Sequence, residues 1–182
     1  MSSKENVGAA GLLSRLGMLV QATVLSPGDT TLLELALVQA VAAIGADCAM
    51  LGIRRREVLD VTLLSGAGGA THDMGILQVG SRYPLTDAIV QERSIWLSSP
   101  PEIRSAYPSA GGLWGRAIAV VPLMLRHCPV GAIAIIHETA VHHHCGSERL
   151  FLTAVADICA TMVADPQGHP WTTTMADQTP PP

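Results

Sequence analysis

The sequence predicts an α+β fold built on one antiparallel sheet, and three observations carry that prediction. Short apolar runs at 48–53, 58–64, 76–79, 94–97, 117–125 and 130–136 have strand length and are separated by polar or glycine-bearing links. Two pairs of runs, 48–53 with 58–64 and 117–125 with 130–136, are joined by links too short for a crossover helix, so each pair forms a hairpin. Helical stripes occupy both ends of the chain, which places helices against a sheet made mainly of hairpins, packed mainly on one face.

The elements follow in order. Leu12, Leu13, Leu16, Leu19, Val20 and Val24 recur at helical spacing over 11–24. Ser26-Pro27-Gly28-Asp29 ends that helix, and Asp29 or Thr30 caps a second one, which runs to Ile44 and stops at Gly45. The first hairpin turns at 54–57. Ser65 to Gly69 carries three glycines in five residues, and a third strand begins at Ile76. Thr86 caps a short helix to Gln91. A strand over 94–97 follows, then a helical turn entered through Pro100 and Pro101. The second hairpin turns over Arg126-His127-Cys128-Pro129. Ser147 caps the closing helix, whose face carries Leu150, Phe151, Ala154, Val155, Ile158 and Met162. The tail after Pro166 has no periodicity, ends in three prolines and reads as disordered. The chain thus divides into an N-terminal helix and linker (1–28), one domain (29–165) and a tail (166–182).

Composition narrows the function classes. The chain has 182 residues, 48% hydrophobic and 14% charged, with a net charge of −4. Phosphate binding wants clustered Lys and Arg. Here the 11 basic residues are scattered, and the densest run, Arg54-Arg55-Arg56, reads as a solvated turn, so nucleic acid is not an expected partner. No apolar stretch reaches the ~20 residues of a membrane span. No basic-then-apolar leader opens the chain. A soluble, cytoplasmic location is expected. The four cysteines show no CxxC spacing and read as free thiols. No P-loop, Rossmann fingerprint or Ser-His-Asp arrangement is present.

Four segments, taken together and in order, resemble a GAF domain, a PAS-related fold. They are LLELALVQAVAAIGADCAMLGIRR, YPLTDAIVQERSIWLSSPPEIRSAYP, AIAVVPLMLRHCPVGAIAII and SERLFLTAVADICATMVA. The second is similar to a run found in GAF domains of bacterial sensor kinases and SpoIIE-type phosphatase regulators. The resemblance implies a six-stranded antiparallel sheet with N- and C-terminal helices packed on one face. It implies a non-catalytic sensory or regulatory domain that binds an unidentified small molecule and signals through its terminal helices as a homodimer, acting alone or on a separate output protein. Leu77, Trp96, Ile103, Tyr107, Trp114 and Ala117 would line the small-molecule cleft. Leu12, Leu16, Leu19, Ile158 and Met162 would lie at the dimer seam, unless they only cover their own sheet. The NKFDE motif of cyclic-nucleotide GAF domains and the Cys-His pair that attaches bilins are absent. The cysteines do not match those of free methionine sulfoxide reductases, an enzyme branch of the fold, so no enzyme activity is expected.

Two other functions stay open beside this one. One is a protein-interaction module whose cleft is filled by its own side chains. The other is a metal- or redox-responsive switch. The run His142-His143-His144-Cys145 offers good zinc, copper or nickel ligands. In an extended segment His142 and His144 point the same way. A tight site needs three or four convergent donors, however, so His142, His144 and Cys145 are weak candidates and a solvated loop is the plainer reading. Cys128, beside Arg126 and His127, is a redox candidate. His72 is a lone haem-ligand candidate. His137 reads as a strand-end residue. No cofactor is assigned.

Overall fold

A computed structural model describes residues 2–25, 30–65, 71–109 and 115–163. In chain order the elements are α1 (Ser2–Leu25), α2 (Thr30–Ile44), β1 (Cys48–Arg55), β2 (Val58–Ser65), β3 (Thr71–Gln78), α3 (Pro84–Gln91), β4 (Ile95–Leu97), α4 (Pro100–Ala106), β5 (Ala117–Leu125), β6 (Cys128–His137) and α5 (Gly146–Val163). The strands form one antiparallel sheet in the order β3-β2-β1-β6-β5-β4. The expected α+β architecture is therefore the observed one.

Central strands of this sheet read as unbroken apolar runs because both faces are buried. Alternation sorts their side chains. Ala49, Leu51 and Ile53 of β1, Ala119, Val121 and Leu123 of β5, and Ile133 and Ile135 of β6 pack with α1, α2 and α5. Met50, Ile118, Val120, Ala132, Ala134 and Ile136 pack with α3 and α4 on the other side. The three long helices thus share one face, and two short helices cover the other.

The two hairpin halves meet where β1 pairs with β6, and two glycines make that approach close. A Cβ on Gly131 would lie 2.4 Å from the Gly52 carbonyl oxygen. Strand β3 lies at the sheet edge with Met74 and Ile76 exposed, beside an irregularity in its pairing at Val61/Thr62.

Several boundaries differ from expectation for local reasons. The β5–β6 turn is only Arg126-His127, both at positive φ (48° and 66°), as a two-residue turn of primed type requires. Cys128 and Pro129 are therefore in β6. Helix α3 begins at Pro84, not at Thr86. Thr86 sits at its third position, where its hydroxyl accepts the Tyr83 amide (3.2 Å) and donates to the Ser81 carbonyl. Helix α5 begins at Gly146, one residue before the expected cap. Glu148 at its third position accepts the Cys145 amide (3.0 Å), so Cys145 stands at the cap. The expected cap Asp29, the linker before it and the tail after 166 lie outside the described residues.

Candidate functional site: a histidine cluster where β6 meets α5

Alternation along β6 sets the site. Ile133 and Ile135 face α5, so His137 does too. The strand exit is fixed by Asp47, just before β1. Its Oδ2 accepts the amide of Glu138 (2.7 Å) and those of the Thr139 amide and hydroxyl (both 3.4 Å). The Asp47 amide in turn donates to Ile136 O (2.9 Å), and the Arg116 amide to His137 O (2.6 Å). Held this way, the segment 138–145 folds back and lays His142 and His144 over His137.

Three imidazoles then form one cluster. The His137 and His142 rings stack with centroids 4.1 Å apart and planes 15° from parallel. His144 stands edge-on to His142 at 4.6 Å and lies 5.4 Å from His137. One ring nitrogen from each residue lies within 4.8 Å of the others. Trp96 of β4 closes the inner side, 5.5 Å from His144, and the Arg149 guanidinium covers the indole at 5.0 Å. Arg149 Nε also donates to His144 O (3.0 Å), tying the loop to the first turn of α5.

The polar atoms of the cluster are unevenly satisfied. His142 Nε2 lies 3.0 Å from Glu148 Oε2, and the His142 side chain is 26% exposed. The His144 side chain is fully buried, and neither of its ring nitrogens has a hydrogen-bond partner. His137 Nε2 is likewise buried without a partner. Burial, reinforced by His142 and His137, pushes His144 down to about 4; Glu148 opposes this only in part. Burial and His142 also lower His137 against the opposing pull of Asp47 and Glu148. The buried pair is thus held as neutral imidazole.

The other expected site residues fall in separate places. Ile103 and Tyr107 are buried in the core under α3 and α4, with Leu77 packed against it. Burial and the Asp87 carboxylate push the Tyr107 phenol up. Trp96 packs on the opposite face, toward α5, and Ala117, paired with His137 in the β5–β6 register, falls on that face by alternation. Trp114 lies outside the described residues. The structure therefore brings together Leu77, Ile103 and Tyr107 and leaves Trp96 and Ala117 apart from them. Cys145 is exposed, with Sγ 3.1 Å from Ser147 Oγ, and is not in the histidine cluster; His137 takes that place. The spacing His137-x4-His142-x-His144 was visible in the sequence. What was missing was the return of the loop, which depends on Asp47 ninety residues upstream.

Leu12, Leu19 and Met162 are buried within the chain, and Leu16 and Ile158 pack against the same core. The apolar side chains left outward on α1 and α5 are others, chiefly Leu13 (69% exposed), Met18 and Leu150 (75%). Leu12, Leu13, Leu16, Ser147, Leu150, Phe151 and Ala154 border a cleft of about 360 Å³ between the two helices. His72 is exposed on edge strand β3. Among the described residues, no helix is long and apolar enough to cross a membrane.

Several solved structures similar to this chain are described as GAF domains. The GAF domain of an Acinetobacter phosphoenolpyruvate-protein phosphotransferase superposes with a TM-score of 0.69 at 14% identity, over 90% of this chain and 95% of its own. The GAF domain of the corresponding Coxiella burnetii protein gives 0.69 at 21% identity, over 86% and 94%. A free methionine-R-sulfoxide reductase from Neisseria meningitidis, solved with its substrate, gives 0.61 at 16% identity, over 90% and 92%. No protein-family model and no curated protein matches the sequence.

Proposed function

Since the chain is a GAF domain by fold, we propose that it is a non-catalytic sensory or regulatory module that works as a homodimer through α1 and α5. The observation that supports this reading is the outward apolar edge of those two helices. Leu13 and Leu150 flank an apolar cleft while the inward residues of both helices pack on the sheet. Contiguous exposed apolar surface of this kind favours a protein partner. A second copy presents the same edge, as a twofold interface needs. A small molecule would bind on the α3/α4 side, beside Leu77, Ile103 and Tyr107, and α1 and α5 would carry the response.

The reductase among the similar structures makes catalysis the class to test against. Cys48 and Cys159 are buried, and burial pushes both thiols up to about 12, away from the reactive thiolate. Cys128 and Cys145 are exposed, one opening β6 and the other in the loop beyond its far end, a strand of ten residues that spans about 30 Å at ~3.3 Å per residue. Such a placement does not suit a pair of redox thiols.

One specific observation favours the interaction-module reading as well: Ile103 and Tyr107 are already built into the core. Native mass spectrometry of the untagged full chain from its own host separates the two. A dimer carrying an adduct of defined mass supports sensing, whereas an adduct-free dimer supports the interaction module. A monomer at micromolar concentration, or a dimer unchanged by Leu13→Glu with Leu150→Glu, overturns the assignment of α1 and α5.

A further inference from the structure

We propose that His137, His142 and His144 bind one divalent transition-metal ion of the zinc type at the junction of β6 and α5. The site is separate from the α3/α4 side and does not depend on a small molecule binding there.

Three observations converge on it. Three imidazoles from two different elements present ring nitrogens within 4.8 Å of one another. Ligands about 2.0–2.1 Å from a tetrahedral ion are roughly 3.3 Å apart, so the cluster needs to close by about 1.5 Å at most. The loop residues His142 and His144 can supply that shift while His137 stays on its strand. Secondly, the nitrogens of His144 and His137 Nε2 are buried and unpartnered. A buried polar group without a partner is costly. Ring contacts with Trp96 and between the histidines fill space but give these nitrogens no partner; an ion takes one nitrogen from each ring.

Thirdly, Glu148 lies 3.0 Å from His142 Nε2 and 3.9 Å from His144 Nδ1. A carboxylate against a liganding imidazole orients the ring and raises its basicity. The donor set decides the ion class. Imidazoles converge here, which suits zinc, copper, cobalt or nickel, whereas calcium and magnesium take oxygen ligands. His144 seals the inner side, and the partly exposed His142 gives the ion its way in.

Bound there, the ion would cross-link the end of β6 to the loop that caps α5. Loading would stiffen the start of the very helix whose outer edge is left apolar.

Titration of the chelator-treated full chain with Zn²⁺ by calorimetry, and with Co²⁺ by visible absorption, tests this. The expected result is one ion per chain with a cobalt spectrum of a nitrogen-rich site. His142→Ala should abolish it or weaken it at least tenfold, and Glu148→Gln should weaken it roughly tenfold. His143→Ala and Cys145→Ser should leave it unchanged. If His144→Ala fails to fold, the partly exposed His142 variant still decides the matter. No saturable uptake at micromolar ion, uptake indifferent to His142→Ala, or uptake lost in His143→Ala would overturn the proposal.

Discussion

The imidazole of His142 lies face to face on that of His137, 4.1 Å away and 15° from parallel, although one belongs to a loop and the other to a core strand. Burial, with the His142 ring beside it, lowers the basicity of His137. The same two causes act on the buried His144 next to them.

Metal-free protein should lose stability as the pH falls below neutrality. His144 has a folded-state pKa of about 4 against 6.5 unfolded. Between those values the unfolded chain binds more protons, so the contribution is intact above 6.5 and lost on the way to 4. His137, lowered in the same direction, adds to it. Glu148 opposes the shift of His144, and Arg149 reinforces it. Urea midpoints at pH 7.5 and pH 5 in chelator should differ more for wild type than for His144→Gln. Equal differences would mean His144 does not titrate as described.

Asp47→Ala should destabilise the chain by about 1–2 kcal/mol, since its carboxylate holds the Glu138 and Thr139 amides at the exit of β6. Asp47→Asn should recover most of the loss, because the amide oxygen still accepts. Equilibrium urea unfolding measures both. Equal loss in the two variants would point to charge and not to the hydrogen bonds.

Gly131→Ala should cost about 2 kcal/mol or more, because the added methyl meets the Gly52 backbone at 2.4 Å and neither strand can yield without breaking its pairing. Gly146→Ala meets nothing within 4 Å and should be close to neutral. Thermal midpoints of the two variants, compared side by side, check the claim. Similar midpoints would refute the close β1–β6 approach.

Thiol labelling of native protein should modify two of the four cysteines quickly, Cys128 and Cys145. The buried Cys48 and Cys159 should wait for unfolding. Cys128→Ser and Cys145→Ser should each remove one equivalent of the fast phase. Fast labelling of Cys159 would contradict its position between α5 and the sheet.

The sheet was legible because its central strands are buried on both faces and so carry dense apolar runs. Edge strand β3 is less so: it starts at Thr71, but His72-Asp73-Met74-Gly75 is exposed and carries no apolar pattern, so nothing marks the strand before Ile76. Helix starts were off by one or two residues at α3 and α5 because third-position side chains, Thr86 and Glu148, contribute to the caps. The site was half legible. His142 and His144 stood out by adjacency. Their partner His137 did not, because its role comes from a chain reversal held by Asp47, and no local pattern encodes that. Trp96 fits the expected cleft only if strand parity is ignored. Ile95 and Leu97 face α3 and α4, and parity sends the residue between them to the other side.

The pairing of β1 with β6 has a kinetic meaning. Cys48 stands opposite Ile136, so the two halves of the sheet share one seam between segments far apart in the chain. The first hairpin can form early from local contacts, but its inner edge has no partner until the last strand is made. Closing that long loop carries an entropic cost before any native contact offsets it, which slows folding in proteins of such topology. During synthesis the inner edge of β1 therefore stays open until β6 emerges, and a chain cut short before that strand would leave the most apolar edge of the sheet unpaired.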